Sequence, residues 1–247
     1  MSDNRFSRTQ MLLGKDGWNR LKETKIRIIG LGAVGGYVLE ALARAGVENF
    51  VLIDFDTFEE SNINRQILAV TDTLGLKKTE VAKQRILSIN PKAEIEIADI
   101  FVNNDTLPKI LEYQPDFVVD AIDALNPKCC IIQTLSENNI PFISSMGAAL
   151  KTDPSKIKIG NLSNSKNCSL AKFVRKRLRK RNIDIGKIKC VWSEEQTILP
   201  ENALELNATD NSSGRIRHTL GSLPTITAIF GLTIANEIIL TISEYKK

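Results

Sequence analysis

Four short groups of residues in the first third of the chain could together bind and cleave a nucleotide. They are Gly30-Leu31-Gly32-Ala33-Val34-Gly35, Asp54-Phe55-Asp56, Ser61-Asn62-Ile63-Asn64-Arg65-Gln66 and Lys77-Lys78. The glycines let backbone approach a phosphate, and a helix starting after them would present free N–H groups and the positive end of its dipole. Arg65 and Lys78 supply two cations for a phosphate chain, which favours an enzyme that cleaves ATP over a dehydrogenase.

Three aspartates are placed to hold the rest of such a nucleotide. Asp54 stands 22 residues after Gly32 at the end of an apolar run, where an acid accepts hydrogen bonds from the ribose hydroxyls, with capping of a turn as the alternative. Asp56 could orient Mg²⁺, bind water or cap the turn, and the sequence does not choose between these roles. Asp123 ends a further predicted strand, and its oxygens suit Mg²⁺ that bridges phosphates. The alternative for Asp123 is an N-cap of the next helix.

The elements that must position these side chains alternate between strands and helices. Strands are predicted at residues 26–29, 50–54, 95–98, 117–122 and 142–145, and helices at residues 37–45, 74–89, 106–113 and 126–138. This alternation predicts a Rossmann-like, doubly wound α/β fold with a mostly parallel sheet covered on both faces. Ligands bind such sheets at the carboxyl ends of the strands, where Asp54 and Asp123 are expected.

The pattern changes near residue 151. We take residues 1–150 as an ATP-binding core with an N-terminal arm, and residues 151–247 as a C-terminal extension of the same domain. The extension is predicted to hold a strand or loop at 151–160, a basic helix at 168–181, a strand at 189–193, a polar loop at 197–213 and a closing helix at 223–245. Because the closing helix carries Pro224, Asn236 and Glu237, we expect a buried or interface helix and no membrane span.

The positive charge of the chain is concentrated in the basic helix. Of the 33 Lys and Arg residues, eight lie in residues 166–181, where there is no acid, and the other 25 are outnumbered by 29 acidic residues. The apolar residues of this helix share one face: Leu170, Phe173, Val174 and Leu178. The predicted tRNA contacts are Lys172, Arg175, Lys176, Arg179 and Lys180. We expect the helix to dock through its apolar face and to present cations to a polyanion, with RNA favoured over anionic lipid and an acidic carrier protein third.

Histidine and cysteine usage excludes several kinds of chemistry. His218 is the only histidine, so a mechanism that needs a histidine pair is excluded. The four cysteines form no C-x-x-C pair, which argues against a structural zinc site. With no export signal at the N-terminus, this cysteine usage indicates a reducing cytoplasm.

The nucleotide-site residues together resemble a known family. The glycine turn, Asp54-Phe55-Asp56, Asn62-Ile63-Asn64-Arg65-Gln66, Lys78 and Asp120-Ala121-Ile122-Asp123 are similar to the adenylation domain of ubiquitin-activating-type enzymes, the ThiF, MoeB and HesA superfamily. This group includes the bacterial adenylyltransferases of molybdopterin and thiamine synthesis. Residues 5–10 also resemble the family's N-terminal R-[FY]-x-R-Q segment, with Thr9 where Gln is usual.

The resemblance implies a role for each residue of the site. Arg8 would reach across a homodimer to the ATP phosphates of the second copy. Asp54 would bind the ribose, and Asp123 would bind Mg²⁺. The residues implied on the phosphates are Asn62, Arg65 and Lys78. The predicted nucleotide-binding set is completed by Gly30, Gly32, Ala33, Gly35, Asp56 and Gln66.

The second half of the chain is similar to the tRNA threonylcarbamoyladenosine dehydratase branch of that superfamily. The similarity lies in residues 170–181, Val191-Trp192-Ser193-Glu194-Glu195 and Leu220-Gly221-Ser222-Leu223-Pro224. It implies an enzyme that uses ATP and Mg²⁺ to adenylate the carboxylate of threonylcarbamoyladenosine in tRNA, after which an internal nucleophile closes a ring and AMP leaves. In one departure, Cys168-Ser169 stands where an Asp-Pro-like helix start is expected, and Ser169 can still cap that helix.

Three other functions fit part of the sequence. An adenylyltransferase activating the C-terminus of a ubiquitin-like or sulfur-carrier protein would belong to a branch whose paired zinc cysteines are missing here. Cys168 or Cys190 could be proposed as its crossover thiol, although a buried, inert thiol is favoured. An NAD-dependent oxidoreductase would use the glycines and Asp54 equally well, but has little use for Arg65 and Lys78. A nucleotide-gated RNA-binding protein would form no AMP. A sulfur-transfer protein is a further conceivable partner.

Overall fold

The computed structural model describes residues 4–112, 115–197, 208–209, 217–218 and 220–245. The strands are β1 (Lys25–Ile29), β2 (Asn49–Ile53), β3 (Glu94–Ala98), β4 (Phe117–Asp120), β5 (Phe142–Ser145), β6 (Ile157–Asn161), β7 (Lys189–Ser193), β8 (Ala208–Thr209) and β9 (Arg217–His218). The α-helices are α1 (Ser7–Glu23), α2 (Gly35–Ala45), α3 (Lys78–Ile89), α4 (Leu107–Leu111), α5 (Leu125–Glu137), α6 (Ser169–Lys180) and α7 (Pro224–Ser243).

Seven strands form one sheet in the order β3-β2-β1-β4-β5-β7-β6, and β8 pairs with β9 separately. All neighbours in the large sheet are parallel except β6 and β7. The predicted doubly wound, mostly parallel sheet is therefore confirmed. The strand order reverses between β1 and β4, and this switch point is where such sheets bind ligands. β6 and β7, from the C-terminal extension, continue the same sheet.

Alternating side chains divide the core between the two faces of the sheet. Ile26 and Ile28 of β1 face the cluster formed with α2, α3 and α7. Val51 and Ile53 of β2 face the opposite cluster, formed with α4 and α5. A third cluster lies between α5, α6 and β7 and includes Trp192. Because both faces are covered at the centre of the sheet, β2 and β4 are near-continuous apolar runs, whereas the edge strand β3 alternates between Glu and Ile.

Helix α7 packs against the helix that follows the glycine turn. Its length and mean hydropathy of 1.7 would allow it to cross a membrane by composition alone. However, Ile226, Phe230, Ile234 and Ile238 recur at helical spacing and are buried in the main core, with α7 contacting α1 and α2. A Cβ on Gly231 would lie 2.6 Å from the Val34 carbonyl oxygen, so only glycine allows this close approach.

Two predicted element ends were wrong, for local reasons. The helix predicted from residue 74 begins at Lys78, because Gly75 has φ +79° and residues 75–78 pair with the 56–58 segment. The strand predicted at residues 117–122 ends at Asp120, whose carboxylate accepts the N–H of Ile122 at 3.2 Å and turns the chain.

The N-terminal arm contains a helix that the sequence did not predict. α1 runs over 17 residues with a break at Gly14, where φ is +74°. It contacts α7, and Leu13 and Leu21 are buried there. Most of the predicted polar loop at 197–213 lies outside the described residues.

Candidate active site

The glycine turn is closed by two contacts that exclude side chains. Gly30 has φ +92°, and a Cβ there would lie 2.9 Å from the carbonyl carbon of Ala121. A Cβ on Gly35 would lie 1.8 Å from the carbonyl oxygen of Gly30. In contrast, no atom of the described residues lies within 4 Å of the Cβ position of Gly32. The turn is thus compact against β4 but open at Gly32, where a phosphate could approach the backbone.

Some backbone N–H groups at the N-terminus of α2 are available to bind a ligand. No side chain caps its first turn at Val34, and Ala33 beside it is half-exposed. The N–H groups of Gly36 and Tyr37 already donate to the carbonyls of Gly32 at 3.0 Å and Val34 at 3.1 Å, whereas those of residues 33–35 donate to no backbone carbonyl among the described residues. Together with the helix dipole, these amides favour an anion at this point.

Asp54 joins the glycine turn to the loop after β2. One carboxylate oxygen accepts the N–H of Leu31 at 2.6 Å, and the other accepts the N–H of Asp56 at 3.0 Å. The capping role is therefore present. Each carboxylate oxygen can accept a further hydrogen bond, so the predicted contact with ribose hydroxyls remains compatible with the geometry.

Lys78 and Asp56 form an ion pair at the start of α3. Their charged atoms are 3.0 Å apart, with side chains 7% and 45% exposed respectively. The N–H of Lys78 also donates to the carbonyl of Asp56 at 3.1 Å, and its ammonium lies 6.0 Å from the ring centroid of Phe58. This contact was not among the three roles that the sequence left open for Asp56. An ammonium has three donors, so Lys78 keeps capacity for phosphate.

In the polar segment at residues 61–66, some side chains already form hydrogen bonds with neighbouring residues. The buried side chain of Asn62 accepts the N–H of Glu59 at 3.3 Å. Arg65 donates to the carbonyl of Ser61 at 2.8 Å and to the side chain of Asn64 at 2.9 Å through a single nitrogen. The remaining guanidinium N–H groups of Arg65 could bind a phosphate.

Gln66 is buried, and its side-chain oxygen has no hydrogen-bond partner among the described residues. Such an oxygen costs about 1–3 kcal/mol when left unpaired. An added donor at this position would offset that cost.

Asp123 lies on the exposed turn between β4 and α5. The N-cap of α5 is Ala124, and no side chain caps that helix, so the capping alternative for Asp123 is wrong. A single exposed carboxylate fits Mg²⁺ that arrives with a nucleotide, because this ion is usually held by one or two carboxylates and substrate phosphates.

Beneath this turn lies a buried charged network that the sequence did not reveal. The Lys128 ammonium is 2.6 Å from a carboxylate oxygen of Asp120, and both side chains are fully buried. The hydroxyl of Ser144 donates to the same oxygen at 2.6 Å and accepts from Lys128 at 3.1 Å. The second oxygen of Asp120 accepts the N–H of Ile122. The network therefore fixes the backbone that carries Asp123.

Two exposed aromatic rings lie close to the aspartates that follow β2. Phe55 and Phe101 pack edge to face with centroids 4.9 Å apart, and they are 47% and 49% exposed. The only indication of these rings in the sequence was Phe55, which stands between Asp54 and Asp56 in a polar loop. Exposed rings at the carboxyl edge of a sheet suit a flat, partly apolar ligand such as a base.

Arg8 is not brought to these residues within one chain. It is exposed near the start of α1, and no described hydrogen bond or ion pair of residues 4–112 links it to the nucleotide site. The role implied for Arg8 needs a second copy and stays a prediction.

The basic helix α6 starts differently from the sequence expectation. Its N-cap is Cys168, whose sulfur accepts the N–H of Ala171 at 3.4 Å, and not Ser169. Arg175 is half-buried and donates to the carbonyl of Ser165 at 2.8 Å. This predicted tRNA contact is thus partly used inside the protein.

The exposed face of α6 combines cations with one aromatic ring. Ala171, Val174 and Leu178 are buried as docking residues, but Phe173 is 51% exposed, so its predicted place on the docking face is wrong. The exposed cations are Lys172, Lys176, Arg179 and Lys180.

Three of the four thiols, those of Cys129, Cys168 and Cys190, are buried. Burial raises the pKa of the Cys190 thiol to about 12, and it also raises the pKa of Cys129. Cys168 is buried and caps α6. Thiolate is the reactive form, so Cys190 is a poor candidate for a covalent intermediate.

Comparison with known proteins identifies relatives over nearly the whole chain. The ThiF family profile matches residues 6–247. The tRNA threonylcarbamoyladenosine dehydratase of Bacillus subtilis is 37% identical over 79% of this chain and 77% of its own. The enzyme of the same name from Escherichia coli is 33% identical over 92% of this chain and 89% of its own. The crystal structure of the Escherichia coli enzyme with ATP has a TM-score of 0.86 at 30% identity, covering 98% of this chain and 94% of that one.

Proposed function

This chain belongs to the ThiF family, and we propose that it is an ATP-dependent dehydratase acting on threonylcarbamoyladenosine in tRNA. The observation that carries this proposal is a continuous set of contacts at the β1/β4 switch point. Gly30 packs on Ala121, Asp54 holds the glycine turn, and Asp56 holds Lys78. Amides, a cation and two acids thus lie together at the carboxyl edge of the sheet, an arrangement suited to adenylation of a carboxylate.

In the first step, a carboxylate oxygen of the substrate attacks the α-phosphorus of ATP. The bond between this phosphorus and the pyrophosphate oxygen breaks, and an acyl adenylate forms. Lys78, Arg65 and the amides at the start of α2 offset the charge that grows on the departing pyrophosphate. Asp54 fixes the ribose, with Asn62, Gln66 and Asp56 completing the phosphate end of the site.

Mg²⁺ would be held by Asp123 together with phosphate oxygens. When bound, it supplies charge neutralisation to the phosphates. No group of three or more metal-ligating side chains lies in the described part of the chain, and the single carboxylate of Asp123 fits an ion that is mainly held by its nucleotide.

The second step needs no nucleophile from the protein. A nucleophilic atom within the modified nucleoside attacks the activated carbonyl carbon, the bond to AMP breaks, and a proton is lost as the ring closes. The net change to the nucleoside is the loss of water. The raised pKa of Cys190 agrees with a route that uses no thioester.

The remaining assignments concern partners and surroundings. Lys172, Lys176, Arg179 and Lys180 on α6 bind tRNA phosphates, with Arg175 supporting them. The active form is a homodimer in which Arg8 of each copy completes the site of the other. Four free thiols and a tRNA substrate suit a reducing cytoplasm.

The test is nucleoside mass spectrometry of tRNA incubated with the protein and ATP, together with measurement of AMP and pyrophosphate. We expect threonylcarbamoyladenosine to lose one water while AMP and pyrophosphate form in equal amounts. Lys78→Ala should lower this rate by about 100-fold or more, whereas the exposed Lys15→Ala should not.

Other outcomes would replace the proposal. Unchanged threonylcarbamoyladenosine with intact ATP would eliminate it. Pyrophosphate exchange stimulated by a ubiquitin-like or sulfur-carrier protein, and not by tRNA, would favour the adenylyltransferase. Tight binding of NAD without binding of ATP would favour an oxidoreductase.

A further inference from the structure

Phe173 is exposed on a helix whose docking does not need it. Helix α6 is anchored by Ala171, Val174 and Leu178, all fully buried in the cluster with Trp192. Phe173 does not belong to that cluster, and 51% of its surface is exposed to solvent. A single exposed apolar residue is ordinary, so its meaning depends on its neighbours.

The residues near Phe173 on α6 include several Lys and Arg, and α6 contains no acidic residue. Lys172 precedes Phe173, and Lys176 follows it by three residues, which places its Cβ about 5–6 Å away on the helix surface. None of the ion pairs within residues 4–112, 115–197 and 220–245 involves a residue of α6. The ring therefore stands in a positively charged surface whose charges remain available to a ligand.

The start of α6 adjoins the carboxyl edge of the sheet. A Cβ on Gly147, just after β5, would lie 3.5 Å from the sulfur of Cys168 and 3.7 Å from the Cβ of Leu170. Phe173 is one helical turn, about 6 Å, beyond Ser169. The exposed ring thus lies near the edge that carries the proposed crevice.

This composition fits an unpaired nucleic-acid strand better than a membrane. A helix that lies on a membrane inserts its apolar face into lipid, but the apolar face of α6 is buried in the protein. Cations bind backbone phosphates without regard to sequence, and an exposed ring offers a surface on which an unstacked base can lie. Bases in a duplex are already stacked, so the ring would select single-stranded loops.

We propose that Phe173 is a stacking platform for an unpaired base of the tRNA substrate, positioned next to the nucleoside that enters the crevice. The cations Lys172, Lys176, Arg179 and Lys180 hold the phosphates on both sides of that base. The inference rests on the proposed function, because it takes tRNA as the ligand. It adds that recognition depends on an unpaired segment and not on charge alone.

The experiment compares RNA binding by wild type, Phe173→Ala, Phe173→Trp and Lys176→Ala. We expect Phe173→Ala to weaken binding of threonylcarbamoyladenosine-containing tRNA about 5- to 100-fold without changing the salt dependence. Lys176→Ala should reduce the salt slope by about one. Phe173→Trp should restore affinity, and its added fluorescence should be quenched by the tRNA. Val70→Ala, an equally exposed apolar truncation elsewhere, is the control and should bind as wild type.

A fully paired RNA duplex and an unpaired oligonucleotide of equal phosphate number separate stacking from charge. Phe173→Ala should affect only the unpaired probe. Equal loss with both probes, no loss with either, or a loss seen only with phosphatidylserine-containing vesicles would overturn the proposal. Binding of ATP, measured in parallel, should be unchanged in every variant. If tRNA binding depends on Phe173 while the nucleoside is never dehydrated, the stacking inference stands and the proposed function fails.

Discussion

At the scale of residues, the two cations that mark the site are held in ways that allow exchange. The nearly buried ammonium of Lys78 is paired with Asp56, whose side chain is 45% exposed, and a buried charge of this kind needs an anionic partner. Arg65 is bonded to two oxygens of its own loop. Phosphate oxygens can therefore replace these partners with little loss of free energy. Both cations lie close to where the nucleotide is expected.

The buried pair under the Asp123 turn behaves differently, because neither charge can reach water. Lys128→Met would leave the Asp120 carboxylate buried without its ammonium. We expect the free energy of unfolding to fall by about 3–5 kcal/mol, measured by urea denaturation. The double variant Asp120→Asn/Lys128→Met should recover much of that loss, because it removes both charges.

A control substitution at an exposed lysine separates the effect of leaving a charge unpaired in the core from the effect of removing a lysine. Lys15→Met, at an exposed position, should change stability by less than about 0.5 kcal/mol. If Lys128→Met were equally mild, the ammonium of Lys128 would not be the partner of Asp120.

A functional residue can be predicted from the sequence when its type and spacing are characteristic of one kind of chemistry. The glycines, Asp54 and Lys78 could be proposed as site residues because phosphate and ribose favour those residue types at those spacings. Lys128 could not, because a lysine on a helix usually lies in water. Its one signal was its position one turn before the buried Ile131 and Ile132.

At the scale of elements, α2 and α3 are clamped by one acid. Glu40 on α2 accepts hydrogen bonds from Arg44 at 2.7 Å and from Arg85 on α3 at 2.7 and 2.8 Å. Burial opposes the charge, but the bonds from Arg85 and Arg44 outweigh it and hold the pKa of Glu40 below its ordinary 4.5. The clamp connects the helix of the glycine turn to the helix of Lys78.

This pKa gives the clamp a defined pH dependence. Because the folded pKa is lowered, the stabilisation is present above the unfolded pKa of 4.5 and is lost as pH falls through the folded value. Glu40→Gln should lower the free energy of unfolding by about 2 kcal/mol at pH 7. The difference from wild type should shrink towards pH 3 in urea titrations. A difference that stays constant across this range would contradict the assignment.

The contact between α7 and α2 should matter for both stability and nucleotide binding. In Gly231→Ala the new methyl would lie 2.6 Å from the Val34 carbonyl oxygen and 2.7 Å from the Cβ of Tyr37. We expect a loss of about 1–3 kcal/mol from overpacking, although alanine favours the helix. Since Val34 is the N-cap of α2, the affinity for ATP should fall as well. Thermal unfolding with and without ATP measures both effects.

Gly221→Ala is the control for this substitution. In the part of the chain that the structure describes, nothing lies within 4 Å of its Cβ position, so stability and ATP binding should stay near wild type. A Gly231→Ala protein more stable than wild type would show that α7 can shift without disturbing α2.

Element types were predictable from the sequence, and element ends were less so. Short apolar runs that alternate with helical segments predicted all five strands of the first 150 residues. The ends of α3 and β4 depended on backbone pairing at residues 75–78 and on the turn made by Asp120, which no local pattern encodes. The helix α1 was missed because its apolar face is short and interrupted at Gly14.

At the scale of the whole molecule, one chain brings together most of the proposed site but not Arg8. The carboxyl edge of the sheet gathers the glycine turn, Asp54, Lys78 and Asp123, whereas Arg8 lies on α1 beside α7. A site that needs Arg8 is therefore incomplete in the monomer. A homodimer with two-fold symmetry would supply the missing cation to both sites at once.

Mixing two inactive variants tests this arrangement. Arg8→Ala and Lys78→Ala should each lower AMP formation by about 100-fold or more as homodimers. After unfolding and refolding together in equal amounts, half of the dimers should be mixed, each with one site that has Lys78 from one copy and Arg8 from the other. About one quarter of the wild-type rate should return. If Arg8 acts within its own chain, the mixed dimer has no complete site and no activity returns.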